Sequence, residues 1–192
     1  MNFLFNFAKA IKNNFNWYLL NSKLKKVKLL VLDVDGVLTN GELLINERGE
    51  VIKKFNVKDG LGIKLIKESG IQLALISGAD HKSTIFRANQ LGIDNYYIGV
   101  KDKKKVLRSL KKKLNIDTTQ VAYLGDDLND LVVKNQVGLF FVPKDASKHL
   151  IKHADLCLMN KGGEGAVREL CERLLDKKFH KYKNDGWAER NE

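Results

Sequence analysis

From residue 27 onward, short apolar runs alternate with helical segments, and this pattern limits the fold more than any other feature of the sequence. The first run covers residues 27–32 and ends at Asp33. Such runs predict buried parallel strands, because a strand that is covered on both faces has no polar side. Strands that alternate with helices of about ten residues predict an α/β, Rossmann-like fold: a parallel sheet with helices on both faces.

Periodicity and turn residues divide the chain into elements. The predicted core strands cover residues 27–32, 71–76, 96–100, 121–124, 138–142 and 156–158. The predicted helices cover residues 60–69, 81–91, 103–114, 127–135 and 165–175, with a further short segment at 147–151. Residues 43–45 and 51–55 flank the turn sequence Asn46-Glu47-Arg48-Gly49 and predict a small β-hairpin flap.

Three parts are expected along the chain: an amphipathic helix with a basic linker (1–26), one domain (27–176) and a polar tail (177–192). The helix is predicted by apolar residues at helical spacing, namely Phe3, Phe7, Ile11, Phe15, Tyr18 and Leu19. This stripe could dock on the protein body, on another subunit or weakly on a membrane surface. No apolar stretch approaches the roughly 18–20 residues of a membrane-spanning helix, and a secretory signal is not expected.

The charge of the chain bears on its partners. The net charge is +11, with the excess at residues 23–28 and 101–113. Lysine dominates these segments and reads phosphate less specifically than arginine, so a solvated lysine-rich surface is favoured over a dedicated polyanion site, and no nucleic-acid partner is expected. The two cysteines are too few for a disulfide framework, which indicates a reduced, cytoplasmic setting.

Acidic residues follow two of the predicted strands. Asp33 and Asp35 end the first strand, and Asp126, Asp127 and Asp130 follow the strand at 121–124. Carboxylates gathered beside hydrophobic strands are costly without a cation, and Mg²⁺ prefers such oxygen ligands. The second group also suits a helix N-terminus by itself. Because ligands bind beyond the carboxyl ends of parallel strands, a shared magnesium site is the better account of both groups.

Two further residues stand where polar groups could meet a phosphate. Ser77 and Gly78 end the strand at 71–76, where a hydroxyl can donate to a phosphoryl oxygen, although a plain turn would look the same. Lys103 begins a helix after the next strand and could neutralise a phosphoryl group. Its lysine-rich surroundings do not distinguish it from a solvated helix face.

These residues follow a known order: Asp33-Val34-Asp35-Gly36, Ser77-Gly78, Lys103, and Gly125-Asp126-Asp127 with Asp130. Over residues 27–175 the order resembles the four motifs of the haloacid dehalogenase superfamily. The resemblance implies that Asp33 attacks phosphorus to form an aspartyl-phosphate, and that Asp35 protonates the leaving oxygen and then activates water. It also implies a set of ligands for Mg²⁺ and phosphate: Asp33, the backbone carbonyl of Asp35 and Asp126 on the metal, Asp127 and Asp130 around them, and Ser77 and Lys103 on the phosphoryl oxygens.

The spacing of the motifs leaves no room for a cap domain over the site. Residues 33–39, 55–60, 99–103 and 162–169 are similar to the capless sugar-acid phosphatases, tetramers that act on small anionic phosphorylated sugars, among them sugars of lipopolysaccharide biosynthesis. The similarity implies that the glycine segment 162–165 reaches toward an adjacent subunit's site. The implied substrate contacts are Asp35, Asn56, Val57, Lys58, Asp59, Gly60, Lys64, Ala79, Arg87 and Lys103.

Two positions depart from that pattern and leave the substrate open. Ala79 and Glu164 stand where those phosphatases usually or often have arginine, and both changes remove positive charge that would face an anionic substrate. The alternatives are a phosphatase of a nine-carbon sialic-type acid or of another small ester, and a non-catalytic binding module on the same fold. The complete set of Asp33, Asp35, Lys103 and Asp126 argues against the binding module.

Overall fold

The computed structural model describes residues 15–175 of the chain. Predictions for residues 1–14, which include Phe3, Phe7 and Ile11 of the predicted stripe, and for the tail at 177–192 lie outside the described residues. The core is a six-stranded sheet in the order β5-β4-β1-β6-β7-β8, in which every pairing is parallel. Its strands are β1 (Leu29–Leu32), β4 (Gln72–Ile76), β5 (Asn95–Tyr97), β6 (Val121–Leu124), β7 (Leu139–Val142) and β8 (Leu156–Cys157).

Helices cover both faces of this sheet, as the sequence predicts. They are α1 (residues 15–24), α2 (Val57–Glu68), α3 (Lys82–Gln90), α4 (Lys103–Leu114), α5 (Leu128–Leu131), α6 (Lys148–Ile151) and α7 (Ala166–Leu175). Alternate residues of β1 point to opposite sides: Leu30 and Leu32 pack with α1, α2, α3 and α7, whereas Leu29 and Val31 pack with α4 and α6. All four are fully buried, which explains why the strand reads as a continuous apolar run.

Two predicted helices differ from those observed. Helix α2 begins at Val57, three residues before the predicted start, because the Asn56 side chain accepts a hydrogen bond from the amide of Lys58 and caps the helix. The helix predicted at 127–135 is two pieces, α5 and a 3₁₀ turn at Lys134–Gln136. The two glycines inside the first turns of α2 do not interrupt it, since its buried face carries it.

Helix α1 presents a different face to the body than its apolar spacing predicts. Trp17 is buried, stacks on Phe141 at 5.5 Å between ring centroids, and belongs to the same core cluster as α2 and α7. The predicted stripe residues in this segment point outward: Phe15, Tyr18 and Leu19 are 58%, 73% and 61% exposed. These three side chains therefore do not dock on the body of the same chain, and docking on another subunit or on a membrane surface stays a prediction. No helix within residues 15–175 is long and apolar enough to cross a bilayer.

A small hairpin stands beside the sheet in place of a cap domain. Strands β2 (Leu44–Ile45) and β3 (Val51–Ile52) pair antiparallel, and the turn between them has Gly49 at φ +75°. The chain between β1 and β4 holds only this hairpin and α2, and the chain between β4 and β5 holds only α3. The predicted capless α/β fold with a hairpin flap is confirmed.

Candidate active site

The tips of two neighbouring strands bring the acidic residues together. Asp33 directly follows β1 and Asp126 follows β6, and these strands pair in register, with Leu32 opposite Leu124. The amide of Asp33 donates to the carbonyl oxygen of Leu124 at 3.0 Å, which extends the ladder by one residue beyond β1. One carboxylate oxygen from each of Asp33, Asp126 and Asp130 lies within 4.8 Å of the others. The two acidic groups of the sequence therefore form one cluster.

Gly36 permits this approach. It has φ +78°, a conformation that side chains disfavour, and a Cβ atom at this position would lie 1.9 Å from Oδ2 of Asp126. The carboxylate of Asp126 thus occupies the space that any other residue at position 36 would fill. The glycine after the two aspartates is required by the neighbouring strand as well as by the turn.

A buried lysine and tyrosine surround Asp130. Lys103, at the start of α4, lies 2.9 Å from Oδ2 of Asp33 and 2.7 Å from Oδ1 of Asp130. The hydroxyl of Tyr123 donates to that same oxygen of Asp130 at 2.6 Å. The second oxygen of Asp130 accepts the amides of Asp126 (3.0 Å) and Asp127 (3.5 Å). Both oxygens of Asp130 are therefore occupied, which suits a residue that orders the site.

Burial and neighbouring carboxylates disfavour the ionised forms of Asp33 and Asp126. Burial raises the pKa of Asp33, and Asp130 raises it further against the opposing effect of Lys103. Burial, followed by Asp130 and Asp127, raises the pKa of Asp126 to about 7. For Lys103, burial acts to lower the pKa, but Asp33 and Asp130 outweigh it and the pKa is raised. Lys103 is thus held in its charged form. The carboxylates of Asp33 and Asp126 have too little positive charge nearby to favour their ionised forms.

The donor set fits a divalent cation. Hard oxygen ligands that converge from two strand tips, with their ionised forms destabilised by burial, are what Mg²⁺ stabilises. Asp33 and Asp126 would hold the ion, with the backbone carbonyl of Asp35, while Asp130 and Asp127 brace them. Asp127 has its own local role, since its carboxylate caps α5 by accepting the amide of Leu128 at 2.7 Å.

Ser77 lies at the third strand tip, beyond β4, the other neighbour of β1. It is 1% exposed, and its Oγ accepts the amide of Ala79 at 3.2 Å in a local turn. The four positions that the sequence singled out, Asp33, Ser77, Lys103 and Asp126, therefore follow strands that sit side by side. Their catalytic roles remain predictions.

Asp35 points to the hairpin. Its two carboxylate oxygens lie 2.7 Å and 2.8 Å from the Nζ atom of Lys53, which directly follows β3. The side chain of Asp35 is 32% exposed, whereas that of Lys53 is fully buried. The sequence analysis missed Lys53 because an isolated lysine at a hairpin edge looks like a solvated residue. It missed Tyr123 because a strand periodicity does not show where a hydroxyl points.

The predicted substrate contacts other than Asp35 and Lys103 fall into two groups. Val57, Lys58 and Lys64 are exposed along α2, and Ala79 is half-buried in the turn after β4. Asn56, Asp59, Gly60 and Arg87 instead make contacts within the chain. Arg87 donates from Nη2 to the carbonyl oxygen of Asn56 at 3.3 Å, and a Cβ at Gly60 would lie 2.5 Å from that nitrogen.

Asp59 is the residue that the structure places least favourably for a ligand. It is 1% exposed, and its oxygens accept the amides of Arg168 (2.8 Å) and Gly165 (3.3 Å) at the start of α7. Burial raises its pKa, against the effect of those two amides. No surface of Asp59 is open to a substrate, which argues against the predicted contact and assigns it to holding α7.

The glycine segment 162–165 packs against the loop after β1 of its own chain. The amide of Gly163 donates to the carbonyl oxygen of Val37 at 2.9 Å, and its own carbonyl oxygen accepts Nδ2 of Asn56 at 3.1 Å. A Cβ at Gly162 would lie 1.8 Å from the carbonyl oxygen of Gly36. Within one chain, the segment therefore supports the loop that carries Asp33 and Asp35.

Comparison with family models defines the class of protein. Residues 56–133 match one model of haloacid dehalogenase-like hydrolases, and residues 99–170 match a second model with the same description. Together with the fold and the acidic cluster, these matches agree with the motifs at the strand tips. The chain belongs to the haloacid dehalogenase-like hydrolase family.

Several similar proteins in that family are 3-deoxy-D-manno-octulosonate 8-phosphate phosphatases. The Escherichia coli K12 enzyme is 43% identical over 154 residues, which are 80% of this chain and 82% of that enzyme. The crystal structure of the Yersinia pestis phosphatase has a TM-score of 0.79 at 42% identity. The match covers 80% of this chain and 83% of that chain. The Moraxella catarrhalis structure, solved with a magnesium ion, a phosphate ion and 3-deoxy-D-manno-octulosonate, has a TM-score of 0.83 at 37% identity and covers 88% and 97%. The predicted similarity to capless sugar-acid phosphatases is confirmed.

Proposed function

We propose that this chain is a magnesium-dependent phosphatase that hydrolyses 3-deoxy-D-manno-octulosonate 8-phosphate. The observation that carries the proposal is the cluster of Asp33, Asp126 and Asp130 carboxylates around Lys103 at adjacent strand tips. It occurs in a chain 43% identical to the phosphatase of that sugar in E. coli. A buried group of three carboxylates with one lysine has little structural use, whereas phosphoryl transfer requires both a metal and a fixed cation.

In the proposed mechanism, Asp33 is the nucleophile. Its Oδ1 accepts the amide of Val34 at 2.7 Å and its Oδ2 lies 2.9 Å from Lys103, so the carboxylate is held in one orientation. Attack on phosphorus forms the aspartyl-phosphate, and the bond to the sugar oxygen breaks. Asp35, two residues further along the loop, gives its proton to that oxygen. In the second step, Asp35 takes a proton from the water that releases phosphate.

The remaining polar groups serve the transferring phosphoryl group. Lys103 stays protonated because Asp33 and Asp130 raise its pKa against burial, and the Ser77 hydroxyl and the amides of its turn can donate to phosphoryl oxygens. Bound Mg²⁺ supplies positive charge that favours the ionised nucleophile and neutralises the phosphoryl oxygens. Tyr123 keeps Asp130, and through it Lys103, in place.

The experiment is phosphate release from 3-deoxy-D-manno-octulosonate 8-phosphate, with Mg²⁺ or with a chelator. We expect turnover only with the metal, and loss of at least about 10³-fold in Asp33→Asn, which keeps shape but removes the nucleophile. A nine-carbon sialic-type acid phosphate is the competing substrate, because Ala79 stands where the capless sugar-acid phosphatases usually have a cationic arginine. Poor and equal rates on both esters would contradict a sugar-acid phosphatase, and full activity of Asp33→Asn would contradict the mechanism.

We also propose a homotetramer assembled through the hairpin flap. Four apolar residues of the hairpin are more than half exposed in the single chain, a patch that monomers rarely leave open. They are Leu43 (52%), Leu44 (56%), Ile45 (64%) and Ile52 (55%). Light scattering should give four times the chain mass for the native protein and a smaller species for Leu44→Lys combined with Ile52→Lys. A native monomer would contradict the proposal.

The outward face of α1 is open to a second partner. Phe15, Tyr18 and Leu19 face solvent near the lysine-rich segment 23–28, a pattern that suits a weak contact with an anionic membrane surface. Flotation with anionic vesicles should recover the full chain but not a chain that starts at Lys26. Equal recovery of the two would refute the contact. With few cysteines and a sugar-phosphate substrate, we place the enzyme in the cytoplasm, which cell fractionation tests.

A further inference from the structure

We infer that Lys53 is a positioning residue for Asp35, and that through it the hairpin flap sets the orientation of the acid–base carboxyl group. The inference rests on the proposed function, because it assigns Asp35 to proton transfer. It adds a residue that neither the motifs nor the sequence spacing indicate. Lys53 lies 18 positions after Asp35 and belongs to a different element.

The contact is close and one-sided. A single ammonium group lies 2.7 Å from Oδ1 and 2.8 Å from Oδ2 of Asp35, so it fixes both the position and the plane of the carboxylate. The Lys53 side chain has no exposed surface, whereas the Asp35 side chain is 32% exposed. The lysine therefore contacts Asp35 from the protein interior, and the solvent-exposed side of the carboxylate is left for a substrate oxygen.

The lysine is itself held from a second element. Its Nζ lies 3.5 Å from Oγ1 of Thr84, which is 1% exposed on α3. The buried side chain of Lys53 thus joins the end of the hairpin to Thr84 on α3 and to Asp35 in the loop after β1. A side chain confined in this way has lost its rotamer freedom, and it can transmit the position of the hairpin to Asp35.

Docking of the hairpin does not explain the charge. Burying an ammonium group is expensive, and replacing a buried ion pair by apolar residues of similar volume is often neutral or stabilising. Packing alone does not require a cation at position 53, since a leucine or methionine would fill a similar volume. The positive charge is explained if its role is to aim a carboxyl group that must meet the leaving oxygen within hydrogen-bond distance.

The test compares two esters that differ in their need for a proton. The sugar oxygen of 3-deoxy-D-manno-octulosonate 8-phosphate leaves as a poor alkoxide unless Asp35 protonates it, whereas 4-nitrophenyl phosphate releases a stable phenolate unaided. The ratio kcat/KM reports only the steps up to the departure of this group, so slow hydrolysis of the aspartyl-phosphate does not affect it. We expect Lys53→Met to lower kcat/KM for the sugar ester about 100-fold, through kcat, and to change that for the aryl ester less than about threefold.

Controls separate position from folding. Lys54→Met removes an exposed lysine from the next residue and should leave both esters unchanged, and Lys53→Arg, which keeps the charge, should recover the sugar ester to within about tenfold of the native rate. Equal losses on both esters, or none on the sugar ester, overturn the inference. If Lys53→Met does not unfold cooperatively, Lys53→Gln is compared in the same way. If the native enzyme does not cleave 4-nitrophenyl phosphate, acetyl phosphate is used in its place. A native protein inactive on every ester contradicts the proposed function instead.

Discussion

Removal of the Tyr123 hydroxyl tests how the site is built. Tyr123 is fully buried, and its hydroxyl donates to Oδ1 of Asp130 at 2.6 Å. Tyr123→Phe deletes this one donor and keeps the ring, which stacks on Phe140 at 5.6 Å with 4° between the planes. The variant thus isolates one buried hydrogen bond to a charged acceptor, with almost no cavity left behind.

The size of the effect follows from what Asp130 retains. A hydrogen bond to a charged group contributes about 1.5–3 kcal/mol. Asp130 still has Lys103 at 2.7 Å and the amide of Asp126 at 3.0 Å after the change. Because the carboxylate is left short of one donor but not orphaned, we expect the free energy of unfolding to fall by about 1.5–2 kcal/mol. That is a sizeable part of the roughly 5–15 kcal/mol typical of a domain.

Urea unfolding of the metal-free protein, followed by circular dichroism, measures this loss. The matched control is Tyr18→Phe, which removes a hydroxyl from a side chain that is 73% exposed and should change the free energy of unfolding by less than about 0.5 kcal/mol. An unchanged m-value would show that both states keep their compactness. If Tyr123→Phe is as stable as the native chain, the hydroxyl does not brace Asp130, and the reasoning about the site is wrong.

Two further predictions concern metal and proton. The pKa of Asp126 is raised from 3.8 to about 7, chiefly by burial and then by Asp130 and Asp127; the native state therefore keeps a proton that the unfolded state has lost, and the metal-free protein should lose stability as pH rises between these values. Urea midpoints across that range should fall with pH in the native chain and stay flatter in Asp126→Asn, and a rising midpoint would contradict the assignment. Gly36→Ala should weaken magnesium binding at least about tenfold in calorimetry, because the new Cβ would meet Asp126. Gly49→Ala, at a similar φ but with no atom within 4 Å, should lose only about 1 kcal/mol of stability and bind the metal normally, so equal weakening in both would refute the steric argument.

Much of the architecture could be read from local pattern. Helix α4 and strand β6 have the bounds predicted for them, Lys103–Leu114 and Val121–Leu124. In both segments the apolar spacing agrees with the propensity of the residues and with clear turn signals at the ends. The start of α2 was misplaced because the capping residue, Asn56, lies before an exposed valine that carries no helical signal.

The N-terminal segment shows the limit of such patterns. Phe15, Tyr18 and Leu19 form a convincing stripe, yet the residue that docks is Trp17. Apolar spacing identifies a helix with two possible hydrophobic faces. It does not say which of them meets the body, because that depends on the shape of the surface beside it.

The sequence by itself determined the order of strands and helices, the capless outline, and the placement of Asp33, Ser77, Lys103 and Asp126 after strands, since each of these depends on residues close together in the chain. Tertiary structure alone decided which residues that are distant in the sequence contact each other. Lys53 meets Asp35 across 18 residues, and Asp59 meets Arg168 across 109. Such contacts depend on how helices and strands pack against each other. The periodicity of the sequence therefore does not predict them.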